Sequence, residues 1–432
     1  MNKLKKITYY LSVLVTFLAF IPGNSAGQFP DYPETRFVVF SDPHYFDPSL
    51  GTEGKAFQDY LNNDRKLLKD SRELMEFIIS YIEKSDAEFV LVPGDLTKDG
   101  EKINHNKMAE YFTRIEKSGK KVYVIPGNHD INNPHSLKYS GDKTEKVPII
   151  SPEEFALNYT EFGYGEAILK DKNSLSYVAE PVEGMWLLGL DACRYRENKP
   201  DGHPVTSGKF SKETMKWIKE VLIEAQNKNK AVLCMMHHGA MEHYTHQKKL
   251  YGEYVVDNYR KLSPMLAEYG ARVVFTGHFH AQDITIQRFG ENKFLLDIET
   301  GSLVTYPCPY RTVTISDNQV LKISSGFVTS IPSNPDFAGY SKKYVHTGIA
   351  GIAANTLIGM GVDSTESWAL SGQVADAFLA HYKGDEVTPD NPFNMEGISR
   401  KGKFLIGFKK NLMISLHHDL EPSDNFLEIK LK

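Results

Sequence analysis

Residues 89–130 decide the fold, because two short apolar runs in this stretch end in polar clusters and enclose a helical pattern. The first run reads FVLVPGD over residues 89–95, and the second reads KVYVIPGNHD over residues 121–130. Each run predicts a buried strand, and residues 105–118 predict a helix between the two strands. Strand, helix and strand in this order are typical of an α/β sheet.

The same alternation extends from this stretch in both directions. Upstream, RFVVFS at residues 36–41 predicts a strand, and residues 64–84 predict an amphipathic helix that can cover the sheet. The downstream elements also alternate, with strands at 185–191, 231–236 and 271–275 and helices at 211–228 and 258–269. From residue 284 to about 328, patterns typical of hairpin-connected strands replace the helices. A mainly parallel sheet is therefore expected to continue into an antiparallel one.

Changes in composition indicate where the parts of the chain begin and end. We expect an α/β unit over residues 34–330. Near Pro332 the sequence becomes rich in Pro, Ser, Asn and Gly, and helical patterns dominate beyond it. Residues 331–432 are therefore predicted to form a mainly helical C-terminal region that could cover or border a site.

Residues 1–26 have the pattern of a secretory signal peptide. Lys3, Lys5 and Lys6 precede an uncharged apolar run over residues 7–21, and small residues follow as far as Ala26. The run is shorter than the roughly 20 residues that span a membrane. We expect cleavage near Ala26, an extracytoplasmic (periplasmic or secreted) location, and no stable membrane span afterwards. An uncleaved N-terminal anchor is the alternative.

The overall composition excludes several classes of protein. Of the 432 residues, 41% are hydrophobic and 24% are charged, which excludes disordered, collagen-like and coiled-coil chains. The net charge of −5 and the lack of a basic stripe argue against nucleic-acid partners. Three cysteines, Cys193, Cys234 and Cys308, leave at least one thiol unpaired. The sequence allows either a disulfide between Cys193 and Cys234 or two buried thiols at these positions. Because the chain has no CxxC pair, any metal site must use nitrogen and oxygen ligands.

Five of the predicted strands end in clusters of residues that could bind metal. The clusters are Asp42 with His44, Gly94-Asp95, Gly127 to Asp130, His237-His238, and Gly277 to His280. Taken singly, each is more often a turn or a solvated loop, but the carboxyl ends of strands in an α/β sheet form a common binding site. Two carboxylates, one amide and four imidazoles suit Mn, Fe, Zn or Co. This set is too large for one tetrahedral zinc and too rich in nitrogen for calcium, so two metals with a bridging carboxylate fit best.

The order D-x-H, G-D, G-N-H-D, H and G-H-x-H closely resembles the calcineurin-like metallophosphoesterases over residues 36–325. The resemblance implies a four-layer α/β/β/α sandwich with two mixed sheets, here followed by the helical C-terminal appendage. It also implies two divalent or mixed-valence ions of Mn, Fe or Zn. The implied ligands are Asp42, His44 and His280 for one ion, Asn128, His237 and His278 for the other, and Asp95 as the bridge. His237 is chosen over His238 because the family's ligand is the first His of its block.

Two positions depart from the family pattern. Lys98 stands where the family often has Asp, Asn or Tyr, so the tyrosine ligand of purple acid phosphatases is absent. Lys98 could also attract dianionic substrates. Gly239 stands where many phosphodiesterase-like members have Pro, and the Gly form is similar to members that act on DNA.

The implied chemistry is hydrolysis of a phosphoric ester. Two metals lower the pKa of a bridging water from 15.7 to about 7, so that it supplies a hydroxide for in-line attack on phosphorus. His129 is expected to protonate the leaving group, with Asp130 orienting its ring and raising its pKa, although His129 could merely cap the loop. We expect a phosphodiesterase for small phosphoesters such as cyclic nucleotides. A phosphomonoesterase, a nuclease and a catalytically silent binding protein are the alternatives.

Overall fold

The computed structural model describes residues 29–432, with the side chains of residues 408 and 409 excepted. The predicted signal peptide therefore lies outside the described residues. Numbered along the chain, the first large sheet consists of β1 (Thr35–Val39), β2 (Phe89–Val92), β3 (Lys121–Val124), β13 (Pro309–Ile315), β14 (Val320–Phe327) and β15 (Phe426–Lys430). Their spatial order is β15-β14-β13-β1-β2-β3. Strands β1 to β3 are parallel, and β13 pairs with β1 in the antiparallel direction.

The second large sheet has seven strands in the order β11-β12-β10-β9-β8-β7-β6. These strands are β6 (Leu169–Lys170), β7 (Tyr177–Val182), β8 (Met185–Leu190), β9 (Ala231–Met236), β10 (Val273–Thr276), β11 (Asp283–Arg288) and β12 (Phe294–Glu299). Its centre, β8-β9-β10-β12, is parallel, and both edges are antiparallel. A separate hairpin joins β4 (Leu137–Ser140) to β5 (Lys143–Lys146). The structure therefore confirms the two mixed sheets.

Helices cover the outer face of each sheet. In chain order the α-helices of residues 29–432 are α1 (Lys55–Leu61), α2 (Ser71–Lys84), α3 (Lys102–Lys117), α4 (Pro152–Asn158), α5 (Lys212–Asn227), α6 (Gln247–Leu250), α7 (Tyr259–Glu268), α8 (Phe337–Gly359), α9 (Ser364–Lys383) and α10 (Arg400–Ser415), of which α8 to α10 pack mainly on one another. Tyr81 of α2 packs on Tyr310 of β13, whereas α5 and α7 contact β9 and β12 of the other sheet. The sheets meet face to face, with the rings of Phe37 and Phe275 5.4 Å apart. These contacts confirm the four-layer arrangement.

The helix predicted over residues 64–84 is shorter in the structure. The α-helix begins at Ser71, and Asp64 to Lys66 form an irregular segment before it. The Asp64 carboxylate accepts hydrogen bonds from the backbone N–H groups of Arg65, at 2.6 Å, and Lys66, at 2.9 Å. Such local side-chain bonds compete with helix formation, so this segment is left to project elsewhere.

Residues 331–432 contain three helices and one strand. Helices α8 and α9 pack together, and their apolar side chains form a second core with Tyr244 and Phe279 of the α/β unit. The final strand, β15, then returns to the first sheet and pairs with β14. The end of the chain is therefore part of the α/β unit.

The three cysteines are free thiols, and Cys234 and Cys308 are buried. Among residues 29–432, no helix combines the length and the apolar character needed to cross a membrane.

Candidate metal centre

The structure brings all seven predicted ligands to one edge shared by the two sheets. Each follows the carboxyl end of β1, β2, β3, β9 or β10, and none is more than 5% exposed. The seven residues are Asp42, His44, Asp95, Asn128, His237, His278 and His280. Their convergence follows from the parallel strands, which place the connecting loops at the same end of each sheet.

Two groups of ligand atoms can be separated by their distances. In the first, His280 Nε2 lies 3.1 Å from His44 Nε2 and 3.5 Å from Asp42 Oδ1. In the second, Asp95, His237 and His278 approach one another, and His237 Nε2 lies 3.1 Å from Asn128 Oδ1. Each group offers the mixture of carboxylate or amide oxygen and imidazole nitrogen that suits a first-row transition metal.

Asp95 lies between these two groups. Its Oδ2 atom is 3.6 Å from His44 Nε2 and 3.3 Å from His237 Nε2. One carboxylate oxygen thus faces a histidine from each group, which is the position that a bridging ligand requires.

The protonation of three histidines and the hydrogen bonding of the fourth fit metal binding. Burial works to lower the pKa of His237, but the charge of Asp95 raises it to about 9, so a metal at this residue would have to displace a proton. Burial lowers the pKa of His44, His278 and His280, which favours the neutral imidazole that binds metals. The buried Nε2 atom of His278 has no hydrogen-bond partner among the described residues. His237 Nδ1 lies 2.8 Å from the carbonyl oxygen of Pro93 and can donate a hydrogen bond to it. Nε2 is then the nitrogen whose lone pair can bind a metal. The residues present therefore fit two metal ions.

The loops that carry the ligands are strained and tightly packed. Asp42, His44, Asp95, His278 and His280 all have positive φ angles, between 36° and 79°. Such conformations cost about 1–3 kcal/mol each and persist where the surroundings hold them in place. The motif glycines allow this packing, because a Cβ atom on Gly127 would overlap Asp95 and one on Gly277 would overlap Asp42.

His129 lies beside the ligands, but its partner is not the predicted one. Its Nδ1 atom is 2.8 Å from Asp99 Oδ1, and its ring stands edge-on to His44 with 4.9 Å between centroids. Burial works to lower the pKa of His129, but the charges of Asp95 and Asp99 raise it above its ordinary value. The side chain is 24% exposed, so it can meet a substrate.

The prediction that Asp130 orients His129 is wrong. The Asp130 carboxylate accepts hydrogen bonds from the backbone N–H groups of Leu96, Thr97 and Gly127 and from the Thr97 hydroxyl. These contacts join the loops that follow β2 and β3, so Asp130 holds Asp95 and Asn128 in register. Adjacent residues in a loop need not point in the same direction, and here Asp130 points into the protein.

Lys98 and His238 also point away from the substrate side. Lys98 is fully buried, forms an ion pair with Asp99, and places its ammonium group 4.3 Å from the centre of the Tyr60 ring. It therefore supports Asp99 and does not attract dianions. His238 Nε2 lies 2.9 Å from the carbonyl oxygen of Thr206, and burial lowers the pKa of His238 to about 3.

Four functional candidates were missed by sequence reasoning. A cavity of about 230 Å³ in front of the ligands is also lined by Arg65, Lys66, Thr206 and Tyr254. Arg65 and Lys66 belong to the irregular segment before α2, where the sequence pattern predicts the start of a helix. The only local indication of their role is that they directly follow Asp64, whose carboxylate accepts hydrogen bonds from their backbone N–H groups. The Tyr254 ring packs against His278 in a tilted arrangement, with 4.6 Å between the ring centroids, and no sequence motif includes both residues.

Comparison with known proteins identifies the family of this chain. The family model described as calcineurin-like phosphoesterase matches residues 35–282, more than half of the chain. An uncharacterized metallophosphoesterase-like protein, YydB, of Bacillus subtilis (strain 168) is 30% identical over 119 residues, which are 27% of this chain and 21% of that protein. The match thus spans about a fifth of the length of that relative.

Two solved structures are similar at low sequence identity. A dimetal phosphatase from Danio rerio is 15% identical, with 68% of this chain and 96% of that chain covered and a TM-score of 0.48. A purple acid phosphatase from yellow lupin (Lupinus luteus) is also 15% identical, with 69% and 53% covered and a TM-score of 0.44. The family assignment depends on the family model, which includes β1 to β10 and every predicted metal ligand. This chain belongs to the calcineurin-like phosphoesterase family.

Proposed function

We propose that the protein is a binuclear, metal-dependent phosphoric ester hydrolase that acts on small phosphodiesters. The observation that carries the proposal is the position of Asp95 between two groups of buried ligands. Asp42, His44 and His280 would hold one ion, Asn128, His237 and His278 the other, and Asp95 both. When bound, two such cations supply Lewis acidity at phosphorus and activate a nucleophilic water.

The other residues of the site act on the substrate directly. Arg65 and Lys66 line the cavity in front of the ligands and can bind the non-bridging phosphoryl oxygens. His129 can deliver a proton from Nε2 to the oxygen of the leaving group, because Nδ1 is already paired with Asp99. Asp99 thereby fixes the orientation of the ring, and Lys98 fixes Asp99.

Metal dependence tests this proposal. We expect the chelated protein to be inactive and to regain hydrolysis of bis-p-nitrophenyl phosphate after refilling with Mn, Fe or Zn, with about two ions per chain by elemental analysis. Asp95→Asn should reduce activity more than His44→Ala, because Asp95 serves both ions. A stoichiometry of one ion, or full activity in strong chelator, would contradict the binuclear proposal.

A phosphomonoesterase is the second candidate, and the paired cations Arg65 and Lys66 favour it because they would attract a dianion. Both kcat and KM should be measured for bis-p-nitrophenyl phosphate, p-nitrophenyl phosphate and 2′,3′- and 3′,5′-cyclic nucleotides. We expect the diester to have the higher kcat, because a nucleophile approaches a monoanion with less repulsion. A monoester kcat/KM about tenfold above that of the diester would reverse the assignment, and cleavage of long DNA would indicate a nuclease.

Export through an N-terminal signal peptide completes the proposal. The basic and apolar pattern of residues 1–26 supports it. N-terminal sequencing of the mature protein should find a start near residue 27. A cytoplasmic protein that begins at Met1 would contradict export.

A further inference from the structure

A second cavity lies between the metal centre and the C-terminal helices. Its volume is about 240 Å³, and apolar side chains of α8, α9 and the region around α10 form most of its wall. They include Ile349, Leu357, Phe378, Phe393, Ile406 and Met413. Among the described residues that line it, Arg65 is the only one with an ionised side chain. The cavity is therefore suited to a hydrocarbon group and not to a sugar or a base with many polar atoms.

This apolar cavity adjoins the cavity in front of the metal ligands. Arg65 and Tyr254 line both of them. The Tyr254 ring forms one side of the boundary between the two cavities. Its centroid lies 4.6 Å from that of His278 and 4.7 Å from that of Phe279. The Arg65 guanidinium lies 5.9 Å from the ring of Tyr382 in α9. The cavity at the metal ligands and the apolar cavity are therefore neighbours, with Arg65 and Tyr254 at their shared boundary.

The cavity also has an accessible rim. Thr356 of α8 and Met360, which directly follows this helix, line it, and Met360 is 37% exposed. A hydrocarbon chain can enter along this rim, which distinguishes the cavity from a closed packing defect in the core.

We infer that the substrate is a phosphoester that carries a linear hydrocarbon chain, with its phosphate at the metal ligands and its chain in the apolar cavity. This inference rests on the proposed hydrolase function. Arg65 lies at the junction, where the phosphate charge ends and the apolar part begins. When the substrate is a diester with one alkyl chain, a water oxygen bonds to phosphorus and the bond from phosphorus to the other ester oxygen breaks. That oxygen takes a proton, so the products are an alkyl phosphate and an alcohol.

A series of alkyl p-nitrophenyl phosphates with methyl, butyl and octyl chains tests the inference. All are used below their micelle-forming concentrations with the metal-loaded full chain. Each methylene that enters the cavity should raise kcat/KM about three- to fourfold, through burial of apolar surface. Equal kcat/KM values for methyl and octyl esters would overturn the inference and leave the hydrolase proposal intact.

Two variants on the same helix separate the cavity from general effects. Ala353→Phe fills the cavity and should remove the advantage of the octyl ester while the methyl ester is hydrolysed as before. Asn355→Phe adds the same group at an exposed position outside the lining and should leave both rates unchanged. If Ala353→Phe lowered the methyl and octyl rates equally, the cavity would not hold the chain.

Binding provides a measurement that requires neither turnover nor a substituted protein. Calorimetry should show that octylphosphonate binds the native chain more tightly than methylphosphonate, and that the ratio of affinities persists after chelation. The same affinity for both phosphonates would overturn the inference. If no ester is hydrolysed but the phosphonates still differ, the proposed function fails while the binding site for a hydrocarbon chain stands.

Discussion

At the scale of single residues, His129, the proposed proton donor, lies at the end of a buried series of charges. Lys98 pairs with Asp99, and Asp99 holds His129 Nδ1 at 2.8 Å. Both Lys98 and Asp99 are at most 3% exposed, so water screens their interaction little. The series holds Nδ1 of His129 towards Asp99 and leaves Nε2 as the nitrogen that can donate a proton in the proposed reaction.

Substitutions in this series should affect proton transfer and spare the metals. We expect His129→Ala to lower turnover about 10²–10⁴-fold, the usual contribution of a general acid. Asp99→Asn should have a smaller effect, because an amide can still orient the ring but supplies no charge. Steady-state kinetics and elemental analysis measure both properties.

The leaving group provides the control for these variants. Esters of acidic alcohols need little protonation, so their hydrolysis should suffer least in both variants. Equal losses for acidic and basic leaving groups would show that His129 acts by positioning alone.

Gly127 should be as important for metal binding as a ligand. We expect Gly127→Ala to lower metal content and activity, because its Cβ would overlap the Asp95 carboxylate and backbone N atom. Gly372→Ala in α9 is the matched control, since its added Cβ would have no atom within 4 Å apart from the neighbouring residues and backbone of its own helix. That variant should bind metal normally and be stabilised by up to about 1 kcal/mol, as expected for alanine in a helix. A Gly127→Ala protein with two ions per chain would refute this prediction.

The convergence of the seven candidate ligands could be predicted from sequence, but the residues that support them could not. Each ligand directly follows an apolar run, so its place at the sheet edge follows from the strand. Asp99 and Asp130 lie in loops of similar sequence, and only the three-dimensional path decides which carboxylate faces His129. Arg65 was hidden because apolar spacing extends the helical pattern past the true start of α2.

At the scale of secondary-structure elements, α3 is joined to the metal-bearing loop through a buried histidine. His105 of α3 is fully buried, with one ring nitrogen 2.8 Å from the carbonyl oxygen of Asp130 and the other 2.8 Å from the Tyr159 hydroxyl. Burial lowers the pKa of His105 from 6.5 to about 3. The folded protein therefore holds this imidazole neutral.

Acid should destabilise the protein through His105. Below pH 6.5 the unfolded chain binds a proton at this residue and the folded chain does not, so stability falls between pH 6.5 and about 3. At pH 5 the loss from this group is about 2 kcal/mol. Urea unfolding at pH 7 and pH 5 should show a smaller difference for His105→Gln than for the native protein. An unchanged pH dependence in His105→Gln would exclude this role.

At the scale of the whole molecule, the C-terminal region cannot be removed as a separate appendage. Its last strand is the edge of the first sheet, with Leu427 and Leu431 in the main core. Asp424 accepts hydrogen bonds of 2.7 Å from the backbone N–H groups of Ile284 and Asp385. The pattern beyond residue 331 is mostly helical until the last residues, and it does not indicate which strand those residues pair with, because β14 lies far away in the sequence.

Substitutions in β15 should test this integration. We expect Leu427→Ala to lower the free energy of unfolding by about 2–5 kcal/mol, as for other buried leucines. Phe426→Ala is the control on the same strand, because Phe426 is 59% exposed, and it should change stability by less than about 0.5 kcal/mol. Urea unfolding of the full chain measures both. Equal effects of the two variants would show that β15 is not part of the cooperative unit.

The place of β15 also determines how the protein can be made. Val320 of β14 pairs with Lys430 of β15, so the ribosome must synthesise every residue between them before this pair can form. At ordinary rates of translation, that synthesis takes about 5–20 s. Throughout that interval β14 presents a row of unpaired backbone groups, the kind of edge that chaperones bind and that other nascent chains can join. The first sheet is therefore completed only after β15 has been synthesised, and until then its open edge can be bound by factors that recognise unpaired strands.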